Sequence, residues 1–145
     1  MVVLQKRITR HTVTTLIKNM FTIPKQALIG DVRKRFARSA IRKEVLRRAT
    51  SDVTGPRGGV MYDCAHCNGS FKPKEVHVDH IDTVIDLDKS YHDYTLEEII
   101  LRIFCMETWD GPVNWGNLQV LCTECHDEKT NKEKARKAEL RKKKK

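Results

Sequence analysis

Four of the five cysteines stand in two C-x-x-C pairs, Cys64 with Cys67 and Cys122 with Cys125, with 54 residues between the pairs. Each such turn aims both sulfurs at a common point, so the pairs can place four thiolates on one tetrahedral Zn²⁺. A set of four cysteines leaves no open position for water, which makes the expected zinc structural: it clamps together the two ends of the segment between. Disulfides are the alternative use of these cysteines, and a chain without an export signal rarely keeps them. Inside the clamped segment lies the adjacent pair Asp79-His80, then Asn117, and His126 follows the last zinc cysteine. Hydrolysis of a phosphodiester needs a base near neutral pKa and a hard divalent cation that stabilises charge on phosphate and leaving oxygen. Imidazole and carboxylate supply these two functions. Neighbours on a strand face opposite ways, so a metal held by Asp79 need not engage His80. Taken singly, each residue has an ordinary role as turn former, surface group or local hydrogen-bond partner; it is the conjunction that points to chemistry.

The elements that must position these groups are legible in the hydrophobic spacing. EVHVDHI, with Val76, Val78 and Ile81, and NLQVL, residues 117–121, read as strands. From Thr95 to Met106, Leu96, Ile99, Ile100, Ile103 and Phe104 recur at helical spacing, and Thr95 with Glu98 forms a capping box at the start. That helix should be buried on one side, and Cys105 on it reads as a small buried hydrophobe. The Gly- and Pro-free run from Thr123 favours another helix, ending in a solvated RKKKK tail expected to be disordered. Upstream, Val32, Phe36, Ala40, Ile41, Val45 and Leu46 predict one basic amphipathic helix over residues 31–49, and Thr12 to Met20 gives a weaker helical pattern, interrupted by Pro24 and Gly30. TGPRGG at 54–59 marks a tight turn and a boundary near residue 55. Trp109 and Trp115 read as packing residues, His66 and His92 as solvent-exposed, and His77 as structural.

The 28 Lys and Arg against 19 Asp and Glu give a formal charge of +9, unevenly spread. Residues 1–60 carry +11, residues 61–131 carry −9 and residues 132–145 carry +7. Two basic arms around an acidic middle suit a polyanionic partner, of which nucleic acid is the commonest. No apolar run reaches the roughly 18 to 20 residues of a membrane span, so neither a membrane protein nor a secreted one is expected, and a reducing, cytoplasmic setting is the default.

At C64-A-H-C67, V78-D79-H80-I81, N117-L-Q-V-L-C122 and C122-T-E-C125-H126-D-E-K129-T130 the chain resembles the HNH endonucleases of the ββα-metal (His-Me finger) class, over roughly residues 62–132. The helix-forming insert ending in LRIFC before NLQVLC resembles the small HNH proteins of tailed bacteriophages. The resemblance implies an α+β fold: a zinc-stapled hairpin and helix at 56–132, a mainly helical basic arm at 1–55 and a basic tail at 133–145. It implies that His80 is the general base, that Asp79 and His126 hold a catalytic Mg²⁺ or Mn²⁺, and that Asn117 braces the loop between the strands. Products with 5′ phosphate and 3′ hydroxyl ends follow. Thr130 stands where several family members have a further metal ligand, leaving two protein ligands plus water and phosphate, which suits Mg²⁺. Lys129 and Lys132 could contact backbone phosphates. The insert between His80 and Asn117 is long and is expected to fold out as an excursion. The implied partner is DNA, nicked by a monomer or cut on both strands by a homodimer, in phage DNA packaging beside a terminase or in homing, within the cytoplasm of an infected bacterium. A non-catalytic zinc-ribbon binding protein, and an enzyme acting on RNA, are the competing readings.

Overall fold

The computed structural model describes residues 24–144. Among them are four α-helices and two small antiparallel sheets, an α+β arrangement. The weak helical pattern at Thr12 to Met20 lies outside the described residues.

The N-terminal pattern yields two helices in place of the one expected: α1 at Lys25–Ala37 and α2 at Ala40–Arg48. Ser39 causes the break. Its Oγ donates to the Phe36 carbonyl at 2.7 Å and accepts from the Arg42 amide at 3.2 Å, so one hydroxyl closes α1 and caps α2. Gly30 does not interrupt α1, which runs through it.

Strands β1 (Tyr62–Asp63) and β2 (Ser70–Phe71) flank the first C-x-x-C turn. The longer hairpin pairs β3 (Val76–His80) with β4 (Leu118–Cys122), in the register Val76↔Cys122, Val78↔Val120 and His80↔Leu118. Period-2 alternation sends Val76 and Val78 to one face and His77 and Asp79 to the other. Between the strands lies α3 (Leu96–Ile103), opened by the expected capping box: Thr95 Oγ1 accepts from the Glu98 amide and the Glu98 carboxylate from the Thr95 amide.

The insert does not fold out. Ile99 and Ile103, at 0% and 1% exposure, are centres of a core shared with Ile29, Phe36, Val45, Val76 and Val120. An apolar stripe of this width has to be covered, and α1 covers it, with Phe36 edge-on to Phe104 at 5.7 Å between centroids. The N-terminal helices and the hairpin thus share one core across the turn at Pro56–Gly58. Ile99→Ala should cost about 3 kcal/mol or more, since it leaves a cavity where both helices meet; the urea midpoint, read at unchanged slope, checks this.

The last helix, α4 (Thr123–Lys143), follows β4 without a loop and takes in the first three residues of the RKKKK stretch expected to be a disordered tail. Lys132–Glu128 and Arg136–Glu139 pairs at helical spacing support it. Trp109 is 59% exposed, against expectation, whereas Trp115 packs on the core under the Arg48 guanidinium. Cys105 is buried as expected, at the left-handed position (φ 55°) that follows α3.

Candidate functional site

The first C-x-x-C turn sits between β1 and β2, and the second spans the junction of β4 and α4. Their four sulfurs lie within 4.8 Å of one another. Tetrahedral zinc at about 2.3 Å from each thiolate would separate sulfurs by about 3.8 Å, and Cys67 Sγ is 4.0 Å from Cys122 Sγ. All four are free thiols, so they can hold a metal ion such as zinc. Their proton affinities diverge. Burial opposes a Cys64 thiolate, but the backbone amides of Cys67, Cys122 and His66 outweigh it and bring the pKa down to about 6. The hydrogen bond with Cys122 and burial push the Cys125 thiol up. One thiolate suppresses the next, and a dication is what lets all four ionise together. His66, exposed as expected, places Nδ1 3.5 Å from Cys125 Sγ.

His80 ends β3 on the face turned to α1 and α3. Its Nε2 lies 2.8 Å from the Ile103 carbonyl. A carbonyl only accepts, so Nε2 carries the proton and the neutral ring keeps its lone pair on Nδ1, which has no hydrogen-bond partner among the described residues. The Phe36 ring rests against the imidazole, 5.4 Å between centroids. Helix α1 therefore holds the ring, a role that no local feature of the sequence announced.

Asp79 points the other way, toward α4. Gln119 donates to Oδ2 at 3.3 Å, and the Lys129 ammonium lies 3.0 Å from the same oxygen. Lys129 also donates to the His80 carbonyl at 2.8 Å and pairs with Glu133. The Asp79 carboxylate is thus occupied by the Lys129 ammonium, which a divalent ion would have to displace.

Asn117 lies directly before β4, beside the chain that leaves β3. Its Oδ1 accepts from the Asp82 amide at 2.7 Å, its carbonyl accepts from Ile81, and its Nδ2 approaches Cys105 Sγ at 3.7 Å. These bonds pin the chain that leaves His80. His126, in the first turn of α4, stacks on His77 at 4.6 Å between centroids, and Nδ1 is 3.6 Å from Asp127.

Asp79 and His80 line one cleft of about 290 Å³, together with Lys129, Thr130 and Arg33. His126 is not part of that lining, and among the described residues only the cysteines form a group of three or more metal-ligating side chains. Arg33 escaped the sequence reading because its place depends on the packing of α1 against a segment about 60 residues away, where it donates to the Tyr91 hydroxyl at 2.9 Å.

No family model matches the sequence, and no curated protein or solved structure matches it either. No helix among the described residues is long and apolar enough to cross a membrane.

Proposed function

We propose that this protein is a divalent-metal-dependent DNA endonuclease of the HNH type, stapled by a structural zinc. The observation that carries the reading is His80: its Nε2–H is committed to the Ile103 carbonyl, which leaves Nδ1 as the basic atom, in a cleft that also contains Asp79 and a wall of cations. In this reading Nδ1 takes the proton of a water, the resulting hydroxide attacks phosphorus in line, and the bond from phosphorus to the 3′ oxygen breaks; that oxygen takes a proton from solvent, leaving a 5′ phosphate and a 3′ hydroxyl. Asp79 and His126 would hold a Mg²⁺ or Mn²⁺ ion, which would supply charge neutralisation at the phosphate and the leaving oxygen. Asn117 positions His80 by fixing the chain at Ile81 and Asp82, and Phe36 does so from the opposite side.

DNA as the substrate, a bacteriophage setting in the cytoplasm of an infected host, and a role beside a terminase or in homing all come from the likeness of the motifs to small phage HNH proteins. A monomer would nick; a homodimer would cut both strands.

The test is conversion of supercoiled plasmid by the purified, zinc-loaded chain, in Mg²⁺, in Mn²⁺ and without either. Nicked circles that appear only with the added ion are the expected result. A folded, zinc-bound protein that binds DNA but nicks neither plasmid nor RNA would replace this reading with the zinc-ribbon binding module.

A further inference from the structure

Beyond the reaction centre, the cations near it fall into two groups. Lys129 is held by Asp79 and Glu133, Lys132 by Glu128, Arg136 by Glu139 and Lys89 by Asp86. Arg33, Lys134, Lys137 and Arg141 have no carboxylate partner among the described residues. The first three line the cleft of Asp79 and His80. Lys137 and Arg141 line an adjoining cleft between α4 and residues 87–93, and the two clefts share Leu87 and Lys137. The result is one continuous groove along α4.

We propose that Arg33, Lys134, Lys137 and Arg141 form a track for the sugar-phosphate backbone of one nucleic-acid strand, leading away from the reaction centre along α4. Lys134, Lys137 and Arg141 are spaced i, i+3 and i+7, which puts them on one helix face. Seven residues at 1.5 Å rise span about 10 Å, the axial length of about three nucleotides of one duplex strand. Arg33 faces them from α1. Its guanidinium donates to the Tyr91 hydroxyl and lies 5.9 Å from the centroid of that ring, which fixes its direction while most of its N–H groups stay free for a phosphate.

The charge balance of the groove supports this occupant. Asp79, Asp88 and Glu133 on its walls each have a cation partner in Lys129 or Lys144, and Asp93, which accepts from the Ser90 amide and hydroxyl, is the one wall carboxylate without an ion pair, so cations outnumber carboxylates along the groove. What remains is uncompensated positive charge in a concavity, where like charges repel and a polyanion relieves the repulsion. The track rests on the reading of the chain as a nuclease, since it starts at that site.

Binding to a fluorescently labelled DNA duplex, measured by anisotropy across a range of KCl concentrations without added divalent ion, tests it. The triple variant Lys134→Gln, Lys137→Gln, Arg141→Gln should weaken affinity about 100-fold and flatten the slope of log K against log salt by about 2 to 3. Gln keeps helix propensity, so α4 is retained. A second triple, Lys132→Gln, Arg136→Gln, Lys143→Gln, removes the same charge from outside the groove and should change the slope by less than half as much. Equal losses in both triples would mean that net charge alone binds DNA, and an unchanged slope in the groove triple would mean that no strand lies there; either result overturns the track. The nuclease reading stands or falls separately on metal-dependent nicking, which neither slope measures.

Discussion

His80→Ala should lower the rate of metal-dependent nicking by about 10²- to 10⁴-fold, the range expected when a positioned general base is removed, while DNA affinity stays within about twofold. The asymmetry follows from geometry. The imidazole is half-buried between Phe36 and the Ile103 carbonyl, and the cations proposed to bind the backbone, Arg33, Lys134, Lys137 and Arg141, all remain when it is removed. Removing it leaves a gap against Phe36 and an unpaired carbonyl, so some stability is lost as well, about 1 to 3 kcal/mol. Nicking must therefore be compared at a temperature where both proteins are folded. Added imidazole separates a lost base from a distorted site. It can enter the gap and restore part of the rate of His80→Ala, whereas it would do nothing for a variant such as Phe36→Ala, in which the ring is present but no longer held. A His80→Ala protein that nicks within threefold of the wild type would remove His80 from the chemistry.

The parts of this site that the sequence made legible are those with short-range signals. The alternation in VHVDH and LQVL located β3 and β4, Thr95 and Glu98 located the start of α3, and two C-x-x-C turns located the sulfur cluster; each signal spans a handful of residues, and each element formed as expected. The role of Asn117 as loop brace is implied by the resemblance alone; in the structure it bonds to Ile81 and Asp82. What escaped depends on side chains far apart in sequence. That Phe36 would lie on His80, or Arg33 beside Tyr91, follows from α1 covering α3, a choice made by the shape of the whole core. The break at Ser39 was visible in principle, since a serine between two helical runs is a strong cap, but the uninterrupted apolar period hid it. The insert was misjudged for a related reason: its length suggested an excursion, while Ile99 and Ile103 carried enough apolar surface to make it part of the core. The pairing of His126 with Asp79 is implied by the resemblance, and no sequence signal announced that its ring would stack on His77.

Removal of zinc should act on one part of the fold before the rest. Cys64 and Cys122 pack with Leu121 in a small cluster of their own, apart from the core around Ile99 and Ile103. The strands flanking the first turn are two residues each, and what holds the turn besides the sulfurs is a few backbone bonds: the Cys64 amide to Gly69, the Ala65 amide to Val120 and the Asn68 amide to Cys64. A knuckle of that size cannot offset the entropy of ordering its backbone, about 1 to 2 kcal/mol per residue, without the metal. In the zinc-free protein, and in Cys122→Ser, the amides of Cys64, Ala65 and Asn68 should exchange with solvent about 100-fold faster or more, whereas exchange at the amides of α3 should change far less. The disturbance then reaches the proposed reaction centre through α4. Cys122 ends β4 and caps α4, its sulfur accepting from the Cys125 amide at 3.5 Å, so loosening it frees the first turn that carries His126 and, one turn on, Lys129 against Asp79. Nicking should accordingly be lost on zinc chelation even with Mg²⁺ in excess and return on adding zinc back. Unchanged protection at Cys64, Ala65 and Asn68 after the metal is stripped would show that the thiol cluster does not staple the fold.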